Sequence, residues 1–392
     1  MKKFIIFGLI CFTFFNGRAQ GEGNRPTRAI TTAVPFLLIA ADARAAGLAD
    51  QGVATSSDAF SQQWNPAKYA FSEMQQGVGV NYSPYLSSLV NDIGLGNLTY
   101  YNRFDERMAI AASLKYFSLG EIVFRENAND LGITQQPNEL TFDVSYALQL
   151  SETFSMAVAG RYLRSDLQLD RVSEAEAASG FGVDVASFYR GPEIAMNSFN
   201  GRLRAGAVIS NIGPKLKYDD AGQESFIPTT IRLGAGFDFI LDEYNRITPS
   251  IEFAKLLVPT PIEPTDSDGN GEIDRNEQIA AQNEYEDISS FGAIFSSWGD
   301  APDGFSEELQ EFTWSLGAEY MYRDVFAFRA GYFNEAEEKG ARKFISLGAG
   351  FKYTIVNIDL SYLFNAGSTN NPLEGTLRFG LSFNFGEQYY DR

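Results

Sequence analysis

The chain has 392 residues, one cysteine, no histidine and a formal net charge of −19. Without histidine it cannot build Ser-His-Asp or Cys-His nucleophiles, and so acidic a chain is a poor partner for nucleic acid. Its 33 phenylalanines, 19 tyrosines and 36 glycines suit a β-structure with aromatic belts and small residues at bends, but a soluble sandwich would use them too, so residue order has to decide.

Lys2 and Lys3 precede an apolar run from Phe4 to Phe15, and Gly17-Arg18-Ala19 follows. This pattern is a secretory signal peptide over residues 1–19, with cleavage expected between Ala19 and Gln20. The run is shorter than the roughly 20 residues a spanning helix needs. Cys11 lies inside it, so the mature chain is expected to have neither cysteine nor disulfide. No later stretch resembles a spanning helix; the apolar segment Val34 to Ala41 is short and contains Pro35. A lipid-embedded exported chain would then have to cross as strands.

Residues 20–75 do not alternate. They contain Pro35-Phe36-Leu37-Leu38-Ile39, then Asp42-Ala43-Arg44-Ala45-Ala46-Gly47, Asp58-Ala59 and Trp64-Asn65-Pro66-Ala67. Small residues at close spacing suit a structured segment packed inside a tube or against its wall, and Asn65-Pro66 favours a turn.

From residue 76 to 392 apolar residues alternate with small or polar ones. At the C-terminal end Leu377, Phe379, Leu381, Phe383 and Phe385 share one face, and Arg378, Gly380, Ser382 and Asn384 the other. Period two gives one oily and one wet side. About fourteen segments of roughly ten residues show it, the length a tilted membrane strand requires. Their expected spans are 76–86, 93–104, 107–118, 139–150, 153–165, 179–190, 201–210, 228–241, 246–257, 310–323, 325–334, 343–353, 355–365 and 374–385. Short links, such as those after Phe104, Leu150, Leu241, Arg323 and Tyr353, nearly alternate with longer ones. A membrane barrel sorts its loops this way, with tight periplasmic turns and long outer loops; a sandwich has no reason to. The fold class is therefore all-β, a transmembrane antiparallel β-barrel in outer-membrane lipid. Asp143, Arg202, Arg204, Arg232, Asp238, Arg329, Lys352, Asp359 and Arg378 lie on the wet side. Arg or Lys facing lipid at mid-depth would cost about 2–4 kcal/mol, so these side chains should face the lumen, where their mixed signs predict ion pairs.

An Arg-Ala-x-Gly run, then Asp-Ala, then Trp-Asn-Pro-Ala ahead of about fourteen strands resembles the FadL-like outer-membrane barrels. Within them, Pro-Phe-Leu-x-Ile followed by Asp-Ala-Arg-Ala-x-Gly and Trp-Asn-Pro-Ala is similar to the PorV branch of the type IX secretion system. The sharp motifs occupy residues 35–67. The resemblance implies an N-terminal segment folded into the barrel and a role in protein export. Its implied partners are secreted cargo proteins carrying a C-terminal targeting domain, the large translocon barrel, and the surface-attachment complex.

The longest outer connection, an insertion at about 258–309, holds a calcium-loop pattern. Asp266, Asp268 and Asn270 supply oxygens at positions one, three and five, and Gly271 makes the turn at six. Glu272 offers its backbone carbonyl at seven, Asp274 stands at nine, and Glu277 can close the site with two oxygens at twelve. The spacing predicts one Ca²⁺ ion. Residues from Gln278 to Phe291 suit an exiting helix, whereas Pro259, Pro261 and Pro264 exclude an entering one. No catalytic motif accompanies these features, so the chain is not expected to be an enzyme. Protein secretion competes with transport of hydrophobic small molecules, as in the broader FadL-like family. Transport requires an apolar pocket, which the expected inner face, mostly small and charged, does not supply. Outer-loop aromatics such as Trp298 and Phe305 are candidates for cargo contact.

Overall fold

The computed structural model describes residues 28–87, 90–125, 132–167, 177–218, 224–367 and 374–389; the expected signal peptide lies outside them. Alternating sequence becomes fourteen barrel strands. They are β1 (Met74–Pro84), β2 (Ile93–Arg103), β3 (Met108–Leu119), β4 (Asn138–Gln149), β5 (Phe154–Asp166), β6 (Ala178–Arg190) and β7 (Asn200–Ile212), followed by β8 (Thr230–Ile240), β9 (Asn245–Leu256), β10 (Thr313–Tyr322), β11 (Phe326–Asn334), β12 (Lys343–Tyr353), β13 (Val356–Asn365) and β14 (Leu377–Gln388). Every boundary lies within three residues of its expected position. Each strand pairs antiparallel with its neighbour in sequence, and β14 returns to β1 through Val80↔Leu381 and Tyr82↔Phe379. No barrel edge is left open, which is what a sheet in hydrocarbon requires.

The side chains are sorted as in a membrane wall. Leu377 is 58% exposed and Phe379 46%, while Arg378 between them is 1% exposed. A water-soluble fold would invert that order, since burying apolar groups drives its folding. Connections 104–107, 150–153, 241–244, 323–325 and 354–355 are tight, and all the long ones but 191–199 gather at the opposite, outer end. The longest carries helices α3 (Arg275–Asp287), α4 (Ser290–Ser296) and α5 (Phe305–Gln310). The helix expected from Gln278 to Phe291 therefore starts earlier and breaks near Ile288, because Asp274 and Glu277 form a capping box that fixes its start.

Residues 40–72 cross the barrel interior and are almost wholly buried. Helix α1 (Ala43–Gly47) packs on β11 to β14; the single turn α2 (Ser61–Trp64) leads into the 3₁₀ turn Pro66–Phe71, which packs on β2 to β6, across the lumen. Glycines of the wall make room for this segment. A Cβ on Gly331 would stand 2.5 Å from the backbone of Leu48, and one on Gly206 would stand 2.4 Å from the Val53 carbonyl oxygen. The abundance of glycine at these strands reflects close backbone approach as well as bending.

Candidate functional site

The motif-bearing segment is fastened to the wall by its own polar groups. Asp42 caps α1 by accepting the Ala45 amide at 2.7 Å, and its other oxygen accepts the Trp64 indole N–H. Arg44 donates to Asp58 at 2.8 Å and, through Nε and Nη2, to Glu319 on β10 at 3.1 and 3.0 Å. Glu319 also accepts from Arg329 at 2.6 Å, and Arg329 reaches Asp359 at 2.6 Å. Asn65 donates to the Val53 and Ser187 carbonyls, both at 2.9 Å, while its oxygen accepts the Ala67 amide as the turn at Pro66 requires. The residues that carried the family resemblance are thus the pins of the plug.

Most of the charges expected in the lumen are there, and paired. Arg204 meets Asp238 at 2.8 Å, Arg232 meets Glu252 at 3.5 Å, and Arg378 meets Asp50 at 3.2 Å. Asp143 binds Arg161, which also reaches Asp184 at 3.1 Å. Arg202 contacts Glu193 near the periplasmic rim, where Lys352 is exposed. Sequence reasoning missed Arg161, Asp184, Glu252 and Glu319, although all four stand at wet positions of recognised strands. Their inward parity was the available signal.

The plug separates two cavities. A polar one of about 430 Å³ opens at the periplasmic end, lined by Arg190, Arg204, Asp238, Arg246, Lys352 and Asp359. The outer one, about 880 Å³, is lined by Val34, Phe36, Tyr85, Phe117, Leu167 and Phe333, among others. It corrects the expectation that the inner face supplies no apolar pocket. Its apolar lining comes largely from the 33–39 segment and loop residues, together with Ile93, Phe117 and Leu119 at the outer ends of β2 and β3, behind which Leu95 and Leu163 pack in the same apolar cluster. Phe36 stacks on Phe117 with centroids 5.9 Å apart.

An ionic latch at the margin of this cavity fastens the outer connection to the wall. Lys255, fully buried on β9, binds Glu308 at 2.8 Å and also Glu311. Lys339 binds Glu307 at 2.7 Å and Glu311 at 2.9 Å. Arg28 adds Glu263 at 2.8 Å, Glu307 at 2.9 Å and Asp303 at 3.2 Å. Burial alone would raise the Glu311 carboxyl; hydrogen bonds and charge from Lys255 and Lys339 outweigh it and hold the group below the usual carboxylate range. Glu307 is lowered in the same way, against burial, by Lys339, the Asp303 amide and Arg28.

In the calcium-loop segment the structure brings the carboxylates of Asp266, Asp268 and Glu277 together, with ligand oxygens within 4.8 Å of one another. The Glu277 carboxylate accepts the amides of Ser267 and Asp274, which hold its pKa below the ordinary value, and Asp266 is lowered chiefly by the Gly271 amide. The other expected ligands are engaged locally. Asn270 Oδ1 accepts the Glu272 amide at 2.7 Å, Asp274 Oδ1 accepts the Glu277 amide at 2.9 Å, and the Glu272 side chain is exposed. A second acidic group, Asp300 with Glu308 and Glu311, abuts the Lys255 ammonium and belongs to the latch.

Comparison with known proteins gives a concordant picture. A family model described as "Type IX secretion system protein PorV" matches residues 22–263. Nothing among the curated proteins matches the sequence. Among solved structures, a TodX deltaS2S3 mutant monoaromatic hydrocarbon channel superposes with a TM-score of 0.50 at 11% identity, covering 88% of this chain and 99% of that one. The Pseudomonas putida toluene transporter TodX gives 0.46 at 13% identity over 86% of this chain and 95% of that one. A Pseudomonas aeruginosa FadL homologue gives 0.44 at 12% identity over 88% and 98%. At such identities the likeness is one of fold.

Proposed function

The chain belongs to the PorV family of type IX secretion system proteins, and from that premise we propose that it binds exported proteins through their C-terminal targeting domain at the large translocon barrel and passes them to the surface-attachment machinery. It is an outer-membrane β-barrel of a non-enzymatic family. One observation carries the proposal beyond the family: the lumen is crossed by a pinned segment that separates its two ends, and the outer connection is a latched, structured cap. Such a molecule offers partners a rigid outer surface in place of a conduit. Affinity isolation from solubilised membranes tests this. Co-isolation of a large barrel and of secreted proteins, lost when their C-terminal domain is removed, is expected; unimpaired secretion in cells lacking the chain would end the reading.

The outer apolar cavity favours a second reading, uptake of hydrophobic small molecules. Lipid or aromatic ligands recovered by mass spectrometry from the purified barrel, with normal secretion in its absence, would select it.

The cap is also proposed to hold one Ca²⁺, bound by Asp266, Asp268, Asn270, the Glu272 carbonyl, Asp274 and Glu277. Convergent carboxylates at the twelve-residue spacing support it, and the hard oxygen set suits calcium. The ion would stiffen the start of α3. Calorimetric titration should give a one-to-one calcium isotherm for the wild type and none for Glu277→Ala; identical traces would remove the site.

A further inference from the structure

We propose that the outer cap is a docking surface for a cationic polypeptide segment whose apolar side chains seat on the exposed pairs Phe291–Phe295 and Phe305–Leu309. This rests on the secretion reading and specifies the chemistry of the partner's face.

The first support is the way two helices are turned. On α4 the buried residue is Ala293, while Phe291 and Phe295 stand 69% and 67% exposed with ring centroids 5.4 Å apart. On α5 the buried residues are Glu307 and Glu308, leaving Phe305 77% and Leu309 55% exposed. Each pair is spaced by four residues and so shares one helix face. Single apolar residues on a surface are ordinary; aromatic pairs on fixed helices are the kind of feature that anchors a protein interface.

The second support is that α5 cannot easily roll these residues inward. Its opposite face is committed to Lys255, Lys339 and Arg28 by the latch. Turning Phe305 and Leu309 under would strand Lys255 and Lys339 without their carboxylates.

Charge identifies the occupant. Residues 258–312 hold fourteen of the chain's fifty acidic residues and a single basic one, Arg275. Beyond the latch, Glu272, Glu284 and Asp287 are exposed, and the latch residues Glu263 and Asp303 are exposed as well. A field of that sign repels the phosphate-bearing headgroups of a bacterial outer surface, so burial of these rings in lipid is disfavoured, and it attracts a lysine- or arginine-rich face. Aromatic anchors inside a one-signed rim select a partner that is both apolar and basic.

Photo-crosslinking in cells tests this on the full chain. The probe p-benzoylphenylalanine replaces Phe291, Phe295, Phe305 or Leu309 one at a time, with lipid-facing Val158 on the barrel wall as control. Protein adducts are expected at the cap positions and not at Val158, with the partner peptide mapped by mass spectrometry to a segment in net excess of Lys and Arg. The double variant Glu284→Lys, Asp287→Lys, which leaves the latch residues in place and is checked for an intact barrel by its heat-modifiable gel mobility, should lose those adducts. Adducts only with lipid, only with a second copy of this chain, or with neutral or acidic segments overturn the proposal, as does a charge-reversed cap that crosslinks undiminished. If secretion still depends on the chain while cap adducts are absent, this docking surface fails and the secretion reading stands. If secretion does not need the chain, the secretion reading fails by itself.

Discussion

Arg44→Met should destabilise the plugged barrel more than Glu319→Gln, although the two residues are hydrogen-bonded to each other. In the native cluster the guanidiniums of Arg44 and Arg329 face three carboxylates, Asp58, Glu319 and Asp359. Removing Arg44 leaves one cation among three carboxylates, with Asp58 and Glu319 losing their shared partner. Breaking a buried pair this way costs about 3–5 kcal/mol. Glu319→Gln keeps the shape and leaves two cations against two carboxylates, so the loss is closer to that of hydrogen bonds to a charged group, about 1.5–3 kcal/mol. Urea unfolding in detergent micelles, followed by tryptophan fluorescence, reads both, since Trp64 sits beside α1 and reports on the plug. Equal effects, or Arg44→Met within about 0.5 kcal/mol of the wild type, would refute the view that this network pins the plug.

Lys255→Met should free the cap without opening the strands, because Glu308 and Glu311 lose a fully buried partner; limited proteolysis is expected to cut within residues 258–312 faster, with the barrel core intact. The latch should also depend on pH in a fixed direction. Glu307 and Glu311 have lowered pKa values in the folded state, so their contribution is complete above the ordinary glutamate range and is lost as pH falls through the depressed folded values. Lys339 is raised by its partners against burial, so its contribution is complete below the ordinary lysine range and lost as pH rises through the folded value. Asp300, raised by burial and by the neighbouring Glu311 and Glu308 carboxylates, extends the acidic change upward, so Trp298 fluorescence should be flat from about pH 7 to about pH 9 and change only outside that window; a transition inside it would contradict the latch. Gly331→Val should disturb the plug, since a Cβ there already meets the Leu48 backbone at 2.5 Å. The expected result is an assembled barrel with a lowered unfolding midpoint, measured by the same urea titration.

What could be read from sequence divides by the range of the physics. Lipid solvates one face of every strand, so each strand carries its own complete signal, and even β13, with Val356, Ile358, Leu360 and Tyr362 outward, was legible alone. The lumen charges were legible as a class for the same reason of parity. Their partners were not, because Arg44 meets Glu319 across 275 positions and no period relates them. The outer cavity was missed because its lining is assembled from the 33–39 segment, loops and the outermost inward residues of several strands. None of these pieces is conspicuous where it stands in the chain.

The motif set at residues 35–67 takes a different meaning in three dimensions. Asp42, Arg44, Asp58, Trp64 and Asn65, read in line, belong to a segment expected to pack inside the tube, but the line of residues does not say what each one holds. In the structure every one of them is spent on capping α1, bracing the plug against itself as Asp58 does with Arg44 and Trp64 with Asp42, pairing with the wall or fixing the turn at Pro66. A filled lumen needs such pins, because polar groups buried in a narrow tube must all find partners within it. The surfaces left for partners are then the ones the plug does not use: the apolar cavity at the outer mouth and the acidic cap above it. The motif marks how the barrel is stoppered, and under the proposed function recognition would fall to the outer loops.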